Sequence, residues 1–337
     1  TTGKPKGAML SHRNMVSNAQ SIVEMIEFNE DDRMLAVLPM FHVFCLSVCV
    51  NAPIMSGANI VIVQRFSPSE VINTIFNEKV TLFAGVPTMY NFLFQLKEFS
   101  AKHFASIRAC LSGGASLPVE LLQRFEEKYK TNILEGFGLS ETAPVTAFNP
   151  LKGTRKVGSV GVDIPGVLNK IVDKNGFEVP RGEIGELIVK GPNVMIGYLG
   201  MEEETAKVIK NNWFYTGDLA KMDNDGYIYI IDRIKDMIIV GGYNVYPREV
   251  EEVIYQHPAI VEVAVIGIPD NDYGQIIKAF VVSNDESITM EDILHFCKDK
   301  LTKYKLPRQV EFKRELPKNS TGKILKRTLY VEQVEVS

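Results

Sequence analysis

Hydroxyls, lysines and glycines crowd into two short stretches, Thr1-Thr2-Gly3-Lys4-Pro5-Lys6-Gly7 and Pro317-Lys318-Asn319-Ser320-Thr321-Gly322-Lys323. Glycine lets backbone N–H groups approach phosphate oxygens, and hydroxyls and ammonium groups add donors and charge, so the first reads as an anion-binding loop. The spacing G-x-x-x-x-G-K-[ST] is absent, so it is not a common P-loop. A solvated terminus and a basic surface turn are the plain alternatives for the two stretches. Gly136-Phe137-Gly138 offers a flat stacking surface, and Ser140 and Glu141 follow it with oxygen ligands. Mg²⁺ takes few carboxylates plus substrate phosphates, so one glutamate beside a polyphosphate is chemically sensible. Ser112-Gly113-Gly114-Ala115-Ser116 leaves backbone open for a flat ring. Asp218, in Thr216-Gly217-Asp218, could accept hydrogen bonds from a ribose diol or cap a turn. His42 is a lone histidine in the apolar run Leu38 to Phe44, where a core role competes with one beside a substrate.

The elements that must hold these residues follow from pattern. Ser11 caps a helix from His12 to about Ile26. Ala58 to Val63, Val80 to Gly85 and Ile107 to Leu111 read as strands, with helices after the cap Ser67, after Gly85-Val86-Pro87 and from Pro118 to about Tyr129. Strand alternating with helix predicts βαβ units in a layered α/β fold. From Val157 to Val189 helix signals give way to short strands and turns, which predicts a small β subdomain, and Glu202-Glu203-Glu204 opens a helix. Tyr227 to Ile231 is a strand and Met237 to Val240 a second apolar run, separated by Asp232-Arg233-Ile234-Lys235-Asp236. That charged segment cannot lie in a strand buried on both sides, so a domain boundary is expected there. Beyond it, a helix from Pro247, strands at Ile260 to Ile266 and Ile277 to Val282, a helix from Met290 to Lys300 and a strand near Val310 to Lys313 predict a small α+β domain.

Composition bounds the answer. The 337 residues suit two domains, with 45% apolar and 23% charged residues as in ordinary globular proteins. A net charge of −4 argues against a nucleic-acid surface. The apolar region Val43 to Met55 is too short to span a bilayer, and no signal peptide is visible. Cys45, Cys49, Cys110 and Cys297 lack paired metal-ligand spacing and suit a reducing, cytoplasmic setting as small buried residues.

Thr216-Gly217-Asp218, the segment Asp232 to Asp236 and Gly241-Gly242 together resemble the AMP-forming adenylating enzymes: acyl-CoA synthetases, amino-acid adenylation domains and luciferases. The resemblance covers essentially the whole chain and is closest to bacterial medium- and long-chain fatty acyl-CoA ligases. It implies an incomplete N-terminal adenylate-binding domain over residues 1–234, its β subdomain from about 155, and a small mobile C-terminal domain over 235–337. It implies ATP, Mg²⁺ and coenzyme A, a small carboxylate substrate, no nucleic-acid partner and no transmembrane segment, with a homodimer left open. Thr1, Thr2, Gly3 and Lys6 match the second half of the family's phosphate loop; the aromatic-Thr-Ser-Gly that opens it is missing, so a truncated N-terminus is expected. By resemblance Gly113, Gly114 and Ala115 line the adenine, Phe137 between Gly136 and Gly138 stacks on it, Ser140 (often Thr in relatives) faces phosphate, and Glu141 is the Mg²⁺ ligand. Asp218 and Arg233 hold the ribose, His42 positions the carboxylate, Lys235 is the hinge, Gly241 and Gly242 face pantetheine, and Lys323 is the catalytic lysine. Lys326 stands where relatives often have Arg. Aryl-CoA ligases of coumarate or succinylbenzoate type are the near competitor, and a nucleotide-binding fragment without turnover is the non-enzymatic one.

Overall fold

The computed structural model describes residues 5–319 and 322–334. It divides into two compact units, residues 1–117, 121–216 and 220–230 in the first and residues 118–120, 217–219 and 231–337 in the second.

The first unit begins with β1 (Ala8–Met9) and α1 (His12–Ile26). Ser11 caps α1 as expected: its hydroxyl accepts the Asn14 N–H at 3.1 Å, while Asn14 Oδ1 accepts the Ser11 N–H at 2.7 Å. Ala19, Ile22 and Ile26 recur at helical spacing and are buried. The chain continues through β2 (Arg33–Ala36), a π-helical turn Cys45–Asn51, α2 (Ala52–Ser56), β3 (Asn59–Ile62), α3 (Pro68–Asn77), β4 (Leu82–Gly85), α4 (Pro87–Gln95), β5 (Ala109–Ser112), α5 (Val119–Tyr129), β6 (Ile133–Gly138), β7 (Val145–Phe148) and β8 (Val162–Asp163). Ser67 stands at the N-cap of α3 but makes no side-chain capping bond; Pro68 at the first helical position sets the entry instead. These strands form one sheet in the order β3-β2-β4-β5-β6-β7-β8. Pairing is parallel from β3 to β6 and antiparallel from β6 through β8. The βαβ expectation therefore holds, and loops after β5 and β6 leave from the carboxyl ends where such sheets bind ligands. Cys45, Cys49 and Cys110 are buried free thiols, as read from their spacing.

The β-rich part contains β9 (Leu168–Val172), β10 (Gly185–Lys190), β11 (Gly197–Tyr198), α6 (Glu202–Val208), β12 (Ile209–Lys210), β13 (Trp213–Met222) and β14 (Ile228–Arg233). Five of them make a sheet ordered β12-β13-β10-β9, with β14 pairing β13. Asp218 thus lies inside a ten-residue strand, which removes the turn-capping alternative. The strand before the charged segment runs two residues further than expected. Asp232 and Arg233 still belong to β14, and a 3₁₀ turn, Ile234–Asp236, follows. A half-exposed strand end tolerates them because Asp232 Oδ2 accepts the Arg248 N–H at 2.9 Å.

The second unit adds β15 (Ile238–Val240), β16 (Tyr243–Val245), α7 (Pro247–Tyr255), β17 (Ile260–Asp270), β18 (Gly274–Ser283), α8 (Met290–Lys298), β19 (Gln309–Phe312) and α9 (Lys326–Val334). Its sheet runs β16-β15-β18-β17, with β19 parallel to β18. Val250 and Ile254 of α7 and Ile293 and Cys297 of α8 pack with Val263, Val265, Ala279 and Val281 of that sheet. Among the described residues no helix is long and apolar enough to cross a membrane.

Candidate active site

In the first unit the strand pair β1–β11 brings distant residues together. Ala8 is registered with Tyr198, so Lys6, two residues earlier, reaches the same place. Its Nζ lies 5.0 Å from the centre of the Tyr198 ring and 2.7 Å from Glu204 Oε2. The Tyr198 hydroxyl donates to Glu141 Oε1 at 2.8 Å. Burial, then the Glu141 carboxylate, push the Tyr198 phenol upward, so it stays a donor at any physiological pH. Lys6 and Glu141, the expected phosphate and Mg²⁺ groups, are thus joined through a tyrosine that no local motif announced. Thr1, Thr2 and Gly3 lie outside the described residues.

Glu141 is half-buried, and among the described residues no cluster of three His, Cys, Asp or Glu could hold a metal alone. With one oxygen fixed by Tyr198, its other oxygen suits a single bond to an ion whose remaining ligands are phosphates and water, which fits Mg²⁺. Groups that orient a ligating side chain are worth about 10–100-fold in metal affinity. On that reading Tyr198→Phe is expected to weaken Mg²⁺ binding by about tenfold, measured as the midpoint of a Mg²⁺ titration. An unchanged midpoint would remove Tyr198 from the site.

The loops expected to take a ring are built by close backbone approach. A Cβ on Gly113 would lie 3.3 Å from the Phe44 ring, and Gly113 is buried while Gly114 is exposed. The Phe44 N–H donates to His42 Nδ1 at 3.3 Å, so one aromatic links the histidine's turn to the Gly113 loop. His42 is half-buried, neither a core residue nor a free one. Under the same loop, Glu135 Oε1 accepts the Leu117 N–H at 3.2 Å, and the Glu135 carbonyl accepts from Asn149. Phe137 packs partly on Ala147, Val160 and Ile171, leaving part of its ring accessible, while Gly138 and Ser140 are exposed.

A second cluster falls in the second unit. Asp218, 3% exposed, sits 3.3 Å from Arg233 Nε. Burial raises its carboxyl to about 6, against the pull of Arg233 and then Lys323. The Lys323 amine is lowered to about 8, first by burial and then by Arg233, with Asp218 and Asp236 opposing. Lys235 is lowered by burial while Asp236 holds it up. Asp218, Arg233, Lys235 and Lys323 therefore form one electrostatic group. A buried carboxylate flanked by cations can take the hydroxyls of a sugar, while the cations face an anion. Gly241 and Gly242 are not part of it. They make the two-residue β15–β16 turn, with φ of 56° and 86°, and the Gly241 N–H donates to the Tyr273 carbonyl at 2.8 Å.

Comparison with known proteins finds relatives over nearly the whole chain. The family profile described as AMP-binding enzyme matches residues 1–199, and that described as AMP-binding enzyme C-terminal domain matches residues 249–323. A long-chain-fatty-acid–CoA ligase of Bacillus subtilis (strain 168) is 43% identical over 339 residues, covering 99% of this chain and 60% of its own length. A feruloyl-CoA synthase of Amycolatopsis sp is 39% identical over 328 residues, covering 97% of this chain and 67% of its own. The crystal structure of ATP-bound MatB from Rhodopseudomonas palustris matches with a TM-score of 0.95 at 36% identity, over 99% of this chain and 67% of that one. The chain thus spans about 60% of the length of the first of these relatives.

Proposed function

Because this chain belongs to the AMP-binding enzymes, we propose that it is the larger part of an acyl-CoA ligase that activates a carboxylate with ATP and passes the acyl group to coenzyme A. In the first step a carboxylate oxygen attacks the α-phosphorus, the bond to the β-phosphate oxygen breaks, and pyrophosphate leaves. In the second, the coenzyme A thiol displaces AMP from the acyl carbon and loses its proton. The observation that carries this reading is the group Asp218, Arg233 and Lys323, a buried carboxylate with two cations in one unit. Asp218 would accept from the ribose hydroxyls. Lys323 would neutralise charge shared between carboxylate and phosphate oxygens as the new bond forms. Mg²⁺ bound at Glu141 would offset phosphate charge, and Phe137, Gly113 and Gly114 would hold the adenine.

The fatty-acid ligase among the relatives supports a long-chain fatty acid, and the apolar runs around Phe44 and Phe83 suit one. The feruloyl-CoA synthase, at similar identity, keeps an aryl acid as the second reading. Buried free thiols fit a cytoplasmic enzyme. Pyrophosphate release by the full-length protein over a panel of fatty and aryl acids tests both readings, and no carboxylate-dependent release would end them.

The same assay carries a pH prediction. Asp218 must be ionised to accept from two hydroxyls and Lys323 protonated to offset charge. Their values of about 6 and about 8 therefore predict a bell-shaped kcat/KM for ATP between those limbs. Asp218→Asn should remove the acid limb. A flat profile from pH 5.5 to 9 would show that neither group's titration in the free enzyme controls the reaction.

A further inference from the structure

Lys323 sits in a short hairpin whose backbone is closed on itself. The Lys323 N–H donates to Asn319 Oδ1 at 2.9 Å, the Asn319 N–H to the Lys323 carbonyl at 3.0 Å, and the Leu325 N–H to the Pro317 carbonyl at 2.8 Å. Lys318 and Ile324 pair across it. Each stem then ends in a lysine bound to a carboxylate of the unit's body. Lys318 Nζ lies 2.7 Å from Glu262 Oε1 and 2.8 Å from Oε2. Lys326 Nζ lies 2.6 Å from Glu251 Oε1, which also accepts the Val265 N–H at 2.7 Å.

Neither carboxylate is an ordinary surface group. Glu262 is 7% exposed and stands at a register break in the β17–β18 pairing, the kind of irregularity that re-aims a side chain. Glu251 is tied to β17 and so has its rotamer fixed before Lys326 arrives. Apolar packing already holds the stems: Leu316 and Leu329 are buried against Ala264, Ile266 and Phe280. That contact is non-directional. The segment from Lys318 to Lys323 contains no apolar side chain, so its direction must come from polar contacts.

We propose that Glu262 and Glu251 are positioning residues for Lys323, clamping the two stems of its hairpin through Lys318 and Lys326 so that the amine arrives in a fixed place. This rests on the reading of Lys323 as the lysine of the adenylation step. A reacting group displaced by about 1 Å can lose about 10²-fold in rate, and two ion pairs on opposite stems resist both tilts of the hairpin. The arrangement also accounts for Lys326. An ammonium is a compact point charge and suffices where a single carboxylate oxygen is the target, so arginine should serve in its place.

The test uses Glu262→Gln, Glu251→Gln and Lys326→Arg in the full-length protein. Each half-reaction is followed separately, and unliganded Lys323 is pulse-labelled with acetic anhydride across pH and read by peptide mass. The two glutamine variants should slow adenylation by about 10–100-fold at unchanged KM for ATP. Thioester formation from supplied acyl-AMP should keep its rate, and the labelling midpoint of Lys323 should rise toward that of an ordinary lysine. Lys326→Arg should behave as the parent. Adenylation at the parent rate, or both half-reactions falling in step with lost thermal stability at an unmoved labelling midpoint, would overturn the proposal. If Glu262→Gln does not fold, the double variant Glu262→Gln/Lys318→Gln removes the same pair without leaving either charge alone and gives the same two outcomes. A parent protein with no carboxylate-dependent pyrophosphate release would sink the functional reading alone, because labelling still reports whether the clamp sets the lysine.

Discussion

Replacing Lys323 with alanine is expected to slow acyl-adenylate formation by about 10²–10³-fold while leaving thioester formation from supplied acyl-AMP and coenzyme A near the parent rate. Lys323 follows the small and polar run Asn319-Ser320-Thr321-Gly322, and its amine feels Arg233, Asp218 and Asp236 at once. Burial makes its charge costly, so the protein tolerates it only where a negative partner arrives. In the proposed adenylation step that partner would be the developing charge between carboxylate and phosphate. Arg233 remains in the variant but is already engaged by Asp218, so it cannot substitute. Lys323→Arg should rescue poorly, because a planar fork does not fill the position of a compact ammonium. In the proposed second step the place beside the acyl carbon would be needed for a thiol, and a lysine there would contribute nothing. Single-turnover pyrophosphate release and thioester formation, measured separately, decide the matter. Equal losses in both half-reactions would mean that Lys323 supports the fold or binds nucleotide throughout.

Ser11 before an amphipathic helix announces itself within a few positions. Glu141 and Lys323 do not: their local patterns read as a glycine-rich turn and a basic surface turn, and it is the family resemblance that singles them out. What escaped is held by pairing between remote segments. Lys6 meets Glu204 across 198 positions and Tyr198 meets Glu141 across 57, through the two-residue pairing of β1 with β11 that no periodicity signals. Strand β13 was missed as a strand because Gly217 and Asp218 interrupt its alternation. Its pairing with β12, β10 and β14 overrides that local preference. Helix α9 was missed for a related reason: its apolar positions are sparse, and Leu329 is its buried anchor. The glycines of β6 are a different case. Gly136 and Gly138 flank the aromatic read as a stacking surface, and the structure also gives both a reason that involves no ligand.

Gly138→Ala is expected to destabilise the protein by roughly 2–4 kcal/mol and to weaken ATP binding by more than about tenfold. A Cβ at Gly138 would lie 2.2 Å from the Pro144 carbonyl oxygen, 2.6 Å from its carbon and 3.0 Å from the Val145 Cα. All three are backbone atoms of β7 or of the residue just before it, so no side-chain rotation relieves the overlap. Gly138 is registered with Val145 just past a shift in the β6–β7 pairing, and the same Pro144 oxygen accepts from the Leu139 N–H at 3.1 Å and from the Thr142 hydroxyl. Moving β7 away therefore breaks the bonds that set the turn carrying Ser140 and Glu141. Phe137, one residue earlier, loses its packing on Ala147. Gly166→Ala is the contrast: φ there is +78° but nothing lies within 4 Å of the new Cβ, so only the left-handed backbone cost of about 1–2 kcal/mol applies. Thermal unfolding of both variants with ATP titration separates the two cases. Gly166→Ala should unfold a few degrees below the parent and bind ATP as before, and Gly138→Ala should lose on both counts. A Gly138→Ala protein that binds ATP normally and unfolds no earlier than Gly166→Ala would mean that the β6–β7 contact gives way without disturbing the nucleotide loop, and that this glycine is dispensable to it.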